Sequence, residues 1–256
     1  MRGGKYRFWF IAASCFVVLS LWQEHGRTLP TIVLLSPLED AYFFPFLEVF
    51  LRRVLPEYEV TTLSPGGTLP PREEYIIVGF SRELQQVEFP QGRARCILLG
   101  EEGGVSVPLL GQVTFLWQET ALAICRKLCA EGEKGRLFAG ESAHPLRVLL
   151  VRLCEGNSGK PVVLVDRASL ARSLLGEGKG SFSLVVLEAT TEMLFALQEG
   201  KIDGVVDTRP SQVAQCIAEM VQGKTKTCVV TPLFVTQENI SCADAYEVVR
   251  RCLSCH

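Results

Sequence analysis

Residues 184–240, LVVLEATTEMLFALQEGKIDGVVDTRPSQVAQCIAEMVQGKTKTCVVTPLFVTQENI, alternate short apolar runs with amphipathic segments. The run 184–187 is too short for a helix and is bounded by a carboxylate, so it indicates a buried parallel strand. The next two apolar runs are 205–206 and 229–235, and the segments between the runs have helical spacing. Pro210 is suited to the first turn of the second helix. Strand, helix, strand, helix, strand at this spacing predicts a parallel α/β sheet.

The same stretch resembles the C-terminal part of the type I periplasmic substrate-binding proteins, the superfamily of ribose-binding proteins and lactose-repressor cores. The similar pieces, in chain order, are VVLEATTE, ALQEGKIDGVV, TRP, IAEMVQGK and TPLFVTQENI. The resemblance implies an α/β fold of two lobes with parallel, Rossmann-like sheets. The chain is short for this plan, and about one βα unit is missing between Ser142 and Lys160, so we expect a reduced second lobe.

The resemblance also implies a division of the chain. The N-terminal lobe is expected to combine 28–135 with 208–235, and the C-terminal lobe to combine 136–207 with 236–256. Hinge connections are expected near 132–137, 207–210 and 235–239.

The N-terminus has the composition of an export signal. Arg2, Lys5 and Arg7 precede an uninterrupted apolar run over 8–22. A spanning helix usually needs about 20 apolar residues, so a permanent anchor would be short. Small residues before Cys15 resemble a relaxed lipoprotein box. Residues 1–27 are therefore predicted to be a signal peptide or membrane anchor of an exported, periplasmic or membrane-tethered protein, with cleavage, anchoring and lipidation left open.

Composition excludes several classes of protein. The 256 residues are 48% hydrophobic and 21% charged, with a net charge of −2, which indicates an ordinary globular chain. The charges are mixed and give no electrostatic surface for nucleic acid, so no nucleic-acid partner is expected. No G-x-S-x-G, H-E-x-x-H or P-loop sequence occurs, and the three histidines are scattered. We therefore expect a protein that is not an enzyme and has no cofactor.

The chain has ten cysteines, of which nine lie outside the predicted signal. Nine is an odd number and the spacing shows no disulfide framework. Cys125, Cys129 and Cys216 lie on predicted helix faces, where a free cysteine acts as a small apolar filler, and this is the interpretation we favour. Residues 252–256, CLSCH, match the c-type haem attachment motif. A haem site, a redox or disulfide pair and a terminal helix with incidental cysteines all remain open, and the last is favoured.

Ligands of open α/β sheets bind beyond the carboxyl ends of the strands. Side chains at these positions are the candidate ligand-binding residues, and the resemblance implies carboxylate, arginine and aromatic contacts to a sugar. The set is Asp40, Phe43, Phe44, Glu101, Asp166, Glu188 and Arg209.

Several candidates have an alternative structural role. Asp40 would also serve as a helix cap, Phe43 and Phe44 as core residues, and Asp166 and Glu188 as solvated strand ends. An arginine is usual in the family where this chain has Glu101, which points to an amine-bearing solute or to loss of binding.

The function implied by the resemblance is that of an exported solute-binding protein that serves an ABC-type membrane permease. It would bind a sugar or a similar small polar solute by hinge closure, without a chemical step. The alternative is a degenerate homologue that acts as a membrane-tethered sensor or interaction module without binding sugar. A cytosolic repressor core is disfavoured by the apolar N-terminus and by the missing DNA-binding helices.

Overall fold

The computed structural model describes residues 29–37, 40, 42–64, 67–69, 74–88, 92–101, 107–129, 137–139, 144–154, 162–176, 182–246 and 250. The predicted export signal with Cys15 and the CLSCH motif at 252–256 lie outside the described residues.

Short strands and helices alternate along most of the chain. The strands are β1 (Thr31–Leu35), β2 (Val60–Leu63), β3 (Tyr75–Phe80), β4 (Ala94–Leu99), β5 (Leu109–Phe115), β6 (Leu137–Ala139), β7 (Val162–Val165), β8 (Ser183–Val186), β9 (Gly204–Asp207), β10 (Thr227–Val230) and β11 (Leu233–Val235). The helices are α1 (Phe43–Val54), α2 (Ser81–Leu84), α3 (Trp117–Cys129), α4 (Pro145–Cys154), α5 (Ala168–Gly176), α6 (Thr191–Gln198) and α7 (Pro210–Val221), with a 3-10 helix at Gln237–Cys242. The run 146–153 is apolar at almost every position, which in sequence fits either a strand or a helix, and it belongs to α4.

The strands form two sheets, and each sheet defines a lobe. The first sheet has the order β10-β5-β4-β3-β1-β2 and all its pairs are parallel. The second has the order β11-β9-β8-β7-β6 and is parallel except for the antiparallel pair of β11 and β9. The prediction of an α/β fold with two lobes of parallel strands is confirmed.

Alternate residues of the strands pack on opposite faces of each sheet, as the period of a strand requires. In β1, Ile32 and Leu34 pack with α1 and α7, whereas Val33 and Leu35 face the side that carries the short helix α2. In the second lobe, α5 and α6 cover one face and α3 and α4 cover the other. The second sheet is therefore covered on both faces although the sequence of this lobe is short.

Helix α3 belongs to the second lobe, which differs from the predicted boundary at residue 135. Its buried Ala121 and Ile124 pack with Leu146 and Leu150 of α4 and with the second sheet. The chain therefore passes between the lobes at 116–117. An apolar face alone does not specify which of two similar sheets a helix covers.

The run 229–235 was predicted to be one strand of the first lobe, and this is wrong. It is divided between β10, which pairs with β5, and β11, which pairs with β9 in the other sheet. Pro232 lies between them and has no N–H to donate to a ladder, so it ends the pairing of the first strand. Its carbonyl instead accepts a hydrogen bond from Thr120 Oγ1 at 2.6 Å. The remaining passage between lobes, from β9 to α7, lies within the predicted hinge 207–210.

One predicted free cysteine is in a disulfide. Cys216 of α7 is bonded to Cys228 of β10, with the two Cα atoms 5.9 Å apart. The bond joins a helix to the edge strand of the sheet that the helix covers. Cys125 is half-buried and packs against the core of the second lobe, and Cys96 is a buried free cysteine. The side chain of Cys129 lies outside the described residues.

Gly204 allows β11 to pack closely on β9. A Cβ atom at this position would overlap the ring of Phe234 and would lie 3.2 Å from the Val235 carbonyl oxygen. We expect Gly204→Ala to lower the free energy of unfolding by about 2 kcal/mol, because an added methyl in a packed core forces its neighbours to shift.

Urea unfolding of this variant beside Gly176→Ala would test the prediction. Gly176 ends α5 and an added Cβ would meet nothing within 4 Å. The second variant should therefore be neutral or slightly stabilising. Equal stability of the two variants would show that the close approach at Gly204 does not affect the free energy of unfolding.

Candidate functional site

A cleft of about 870 Å³ lies between the lobes at the carboxyl ends of the first-sheet strands. This is the edge of a parallel sheet at which ligands bind in α/β proteins. Its lining comes from the ends of β1, β3, β4 and β5, from the beginnings of α2, α3 and α4, and from the passage after β9. The lining residues are Pro37, Phe43, Phe80, Ser81, Arg82, Glu83, Leu99, Gly100, Glu101, Phe115, Trp117, His144, Pro145 and Thr208.

Five of these side chains form a continuous row of rings, which we call the aromatic wall: Phe80, Phe43, Phe115, Trp117 and His144. The ring centroids of Phe43 lie 6.1 Å from Phe80 and 6.2 Å from Phe115. The row continues from Phe115 to Trp117 at 5.8 Å and from Trp117 to His144 at 4.5 Å. The first three rings belong to the first lobe and the last two to the second, so the wall crosses the junction between lobes.

His144 contributes a neutral ring to this wall. Burial lowers the pKa of its imidazole to about 4, and the nearby carboxylate of Asp166 offsets only part of that effect. Its Nδ1 accepts a hydrogen bond at 3.2 Å from the backbone N–H of Leu146, in the first turn of α4. The proton of the neutral ring is therefore on Nε2.

Asp40, predicted to bind ligand, caps helix α1. Its carboxylate accepts hydrogen bonds from the backbone N–H groups of Tyr42, Phe43 and Phe44 at 2.9, 2.8 and 2.8 Å. These are orphan donors of the first helical turn, and a carboxylate there is also stabilised by the helix dipole. Asp40 therefore acts as a helix cap, which was the structural alternative to a ligand-binding role. Its two carboxylate oxygens already accept three hydrogen bonds from the backbone.

The two adjacent phenylalanines differ in their position. Phe43 retains 8% of its surface and lines the cleft, whereas Phe44 is fully buried and does not line it. Phe44 packs edge-on against Phe43 and Phe80 behind the wall. A difference of one residue on a helix turns a side chain by about 100°, so only one of the pair faces the opening.

Glu188 also caps a helix. Its Oε2 accepts the backbone N–H of Ala168 at 2.7 Å, at the beginning of α5. Burial raises the pKa of the Glu188 carboxyl, and the negative charges of Asp40 and Asp166 raise it further. The hydrogen bond from Ala168 and the positive charge of Arg167 lower it. The ends of β1, β7 and β8 therefore bring acids of both lobes near one another. Asp166 and Glu188 do not line the cleft.

Glu101 lines the cleft from the end of β4 and is exposed there. Arg209 lies one residue beyond Thr208, which does line it. Arg209 has a left-handed backbone, with φ of 57°, and its N–H donates to Asp207 Oδ1 at 2.7 Å. Thr208 Oγ1 and Arg209 Nε are buried and have no hydrogen-bond partner in the described part of the chain. Of the seven predicted residues, Phe43 and Glu101 line the cleft.

A buried carboxylate joins the lobes beside the cleft. Asp207, at the end of β9, is fully buried and accepts hydrogen bonds from the Tyr42 hydroxyl at 2.6 Å and from the Asp244 N–H at 2.6 Å, besides that from Arg209. Asp244 in turn accepts the N–H of Ser211, in the first turn of α7, at 2.7 Å. We call these residues the junction network.

Burial dominates the titration behaviour of the junction network. It raises the pKa of the Tyr42 hydroxyl well above its usual range, and the charge of Asp207 adds to this effect. Burial and the Asp244 carboxylate raise the pKa of Asp207, whereas its three hydrogen bonds act in the opposite direction.

The predicted ligand-binding set did not include Phe80, Phe115, Trp117, His144 or Thr208, and it gave no role to Tyr42 or Asp207. Asp207 had a detectable signal, because an acid directly after the apolar pair 205–206 lies at a strand end. His144 had none, because the segment before α4 could not be assigned.

Within the described residues, no cluster of three or more His, Cys, Asp or Glu side chains is suited to a metal ion. Among the helices that the structure describes, none is long and apolar enough to cross a membrane.

No protein-family model and no curated protein matches the sequence. The fold is similar to many solved structures. An ABC transporter solute-binding protein from Bacillus halodurans with bound myo-inositol has a TM-score of 0.57 at 13% identity, over 84% of this chain and 98% of that one. A LacI-family transcriptional regulator from Arthrobacter in complex with lactose has a TM-score of 0.59 at 14% identity, over 81% of this chain and 98% of that one. A chain of the XylFII–LytSN complex has a TM-score of 0.58 at 10% identity, over 82% and 98%.

Proposed function

Because the chain has the two-lobed fold of the type I periplasmic binding proteins, we propose that it binds a small polar solute of sugar-like size between its lobes. The cleft of about 870 Å³, lined by residues of both lobes, is the observation that carries this proposal. Its volume lies in the range of small-molecule sites, about 300–1,000 Å³. Binding would close the lobes on the solute by a hinge movement, without a chemical step.

We further propose that the protein is exported and presents its solute to an ABC-type membrane permease. The basic residues and apolar run of 1–27 support export. The solute-binding protein from Bacillus halodurans supports the link to a transporter by analogy of fold alone.

Thr208 connects the cleft to the hinge. It lies in the passage between β9 and α7, and its buried hydroxyl has no hydrogen-bond partner among the described residues. An unsatisfied buried polar group is unfavourable, and a solute hydroxyl would satisfy it. A contact at this position would bind the solute to the segment about which the lobes turn.

A thermal-unfolding screen with monosaccharides, inositols and nucleosides tests the proposal. A solute at a hundred times its dissociation constant should stabilise the protein by about 2.7 kcal/mol. Small-angle scattering should show a smaller radius of gyration with that solute. The absence of stabilisation by every compound would contradict solute binding.

Thr208→Val tests the position of the site. Loss of one hydrogen bond of about 1 kcal/mol should weaken binding roughly fivefold. The unliganded protein should be equally or more stable, because an unsatisfied hydroxyl is removed. Thr227→Val, on the exposed part of β10, is the matched control and should change neither quantity.

A second candidate function is that of a sensor or interaction module that no longer binds sugar. It is favoured by the engagement of Asp40 and Glu188 with helix N-termini, which leaves few carboxylate oxygens for sugar hydroxyls. The XylFII–LytSN complex shows a protein of this fold in a complex with another protein. A screen without stabilisation, together with a stable folded chain, would favour this function.

A further inference from the structure

Strand β10 forms one edge of the first sheet, and β5 pairs with only one of its two sides. On that side, the carbonyls of Lys226 and Val230 accept backbone N–H groups of β5, both at 2.9 Å. The backbone groups of successive residues in a strand point alternately to its two sides. Thr227 and Val229 therefore direct their N–H and C=O groups towards the open edge.

The open edge is blocked at Thr227 and available at Val229. The Thr225 hydroxyl donates to the Thr227 carbonyl at 2.7 Å and accepts the Thr227 N–H at 3.3 Å, so both outward groups of Thr227 are satisfied. No hydrogen bond reaches the N–H or C=O of Val229 from the part of the chain that the structure describes. The edge thus offers the donor and the acceptor of one residue and no longer ladder.

The side chain of Val229 is also exposed. Its exposed fraction of 59% is the largest among the large hydrophobic side chains of the described residues. Cys228 is bonded to Cys216 of α7, so Val229, the next residue, lies on the opposite face of the sheet. An exposed apolar side chain and an available backbone donor and acceptor therefore coincide at one residue of an edge strand, which is the feature that favours pairing with another strand.

We propose that Val229 is the centre of a contact with a second copy of this chain, in which the two β10 strands pair antiparallel about a two-fold axis. In an antiparallel hydrogen-bonded pair, the two opposite residues exchange both N–H···O bonds. With the axis between the two Val229 residues, each copy supplies one donor and one acceptor, and the blocked Thr227 is not needed. An extended peptide would require the outward groups of several residues in succession. The contact does not depend on solute binding.

The charges near the two ends of β10 are complementary in this arrangement. Lys226 would lie opposite Pro232 of the second copy, because each is three positions from Val229. The Pro232 carbonyl accepts the hydroxyl of Thr120, and Glu119, next to Thr120, is exposed. The axis therefore brings Lys226 of each copy towards Glu119 of the other. Exposed ion pairs add little free energy, but they favour this register over a shifted one.

The clefts stay accessible in the paired arrangement. Each cleft lies at the carboxyl ends of the first-sheet strands, whereas the pairing uses only the outer edge of that sheet. Because the two β10 strands run in opposite directions, the two clefts would lie at opposite ends of the pair. The exposed side chains of α7, which covers β10, are the uncharged Gln212 and Gln215, so this helix adds no exposed charge beside the axis.

Sedimentation velocity of the full chain over a range of concentrations tests the contact. We expect reversible association into a species of twice the mass of one chain. Val229→Lys should raise the dissociation constant at least tenfold, because it places two ammonium groups side by side at the axis. Val49→Lys is the matched control, since Val49 is 46% exposed on α1 of the same lobe, and it should stay within twofold of the parent. If Val229→Lys does not fold, Val229→Pro replaces it and removes the outward N–H at a position where an edge strand tolerates proline.

Disulfide cross-linking tests the register. Opposite residues of a hydrogen-bonded antiparallel pair have Cα atoms about 5.5 Å apart, a distance that a disulfide spans. Under mild oxidation, Val229→Cys should give a covalent dimer in a Cys242→Ser background, which removes an exposed free cysteine and supplies the baseline. Thr227→Cys is the control and should link at least tenfold less, because four residues of strand, about 14 Å, separate the two copies of that position along the pair.

Each other result contradicts the proposal. A chain that stays monomeric at every concentration would overturn it. Association that Val229→Lys does not weaken would also overturn it, because the contact would then lie elsewhere, for example in the apolar run 8–22. A monomer that captures an extended peptide at this edge would replace the second copy as the occupant. Association without the Val229→Cys cross-link would overturn the two-fold register.

Discussion

Replacing Asp207 with alanine should lower the free energy of unfolding by about 3–5 kcal/mol, because each buried donor that loses its acceptor costs about 1–3 kcal/mol. The variant leaves three donors without an acceptor: the Tyr42 hydroxyl and the N–H groups of Arg209 and Asp244. These groups belong to the residue before α1, to the passage after β9 and to the segment that follows the 3-10 helix. The loss should therefore affect the junction of the lobes and not one lobe alone.

Urea unfolding at neutral pH measures this effect, with Thr190→Ala as the control. Thr190 Oγ1 accepts the N–H of Met193 at 3.3 Å at the start of α6, so the loss of this cap should be nearer 1 kcal/mol. Arg209 has a left-handed backbone that is unfavourable for a non-glycine residue. The conformation of its loop should therefore also change when its N–H loses the hydrogen bond to Asp207. Equal losses in the two variants would contradict a special role for the junction network.

Asp207→Asn should be less destabilising than Asp207→Ala, and the difference depends on pH. The pKa of Asp207 is raised by burial, so folding favours its protonated form. The stability from this group is full below its ordinary pKa of 3.8 and is lost as the pH rises through the raised value. Asparagine mimics the protonated form, so the stability of Asp207→Asn should not show this decline. If the stability of the variant fell with pH between 3.8 and neutrality as that of the parent does, the decline would not come from Asp207.

Reduction of the Cys216–Cys228 disulfide should lower the free energy of unfolding by about 3 kcal/mol. The two cysteines are separated by 12 positions, and a loop of about 15 residues closed by a disulfide gives about this value in the chain-entropy model. For a chain of this size, the melting temperature should fall by roughly 6–12 °C.

The measurement compares melting with and without a thiol reductant. The double variant Cys216→Ala, Cys228→Ala should melt at the temperature of the reduced protein and should not respond to the reductant. Cys242→Ser, which removes an exposed free cysteine, is the matched control and should respond like the parent. A parent protein that melts identically under both conditions would show that the bond is not formed in solution.

The sequence predicted the lobes well because each buried parallel strand is a run of apolar residues, as in β8 and β9. It could not predict the lobe to which α3 belongs, nor the division of 229–235 at Pro232. The lobe of α3 and the division of 229–235 both depend on which of two similar sheets has a free face or a free edge. That is decided only when the whole chain has folded, and no local sequence pattern shows it. The disulfide was missed for the same reason, since only the packing of α7 on its sheet brings Cys216 next to Cys228.

The sequence indicated the strand ends that meet at the cleft more accurately than it indicated the side chains that line the cleft. Strand ends do meet at the cleft, and Phe43 and Glu101 line it. Asp40 and Glu188 were chosen for their charge, but the nearby helix N-termini offer them backbone donors first. His144 comes from a segment that has no strand end to mark it.

The junction network has a consequence for how the protein can be handled and attached. The backbone N–H of Asp244 is hydrogen-bonded to the Asp207 carboxylate, so the segment 243–246 is attached at the pivot between the lobes instead of on the outer surface of one lobe. Mechanical load applied to this segment would be transmitted first to the pivot.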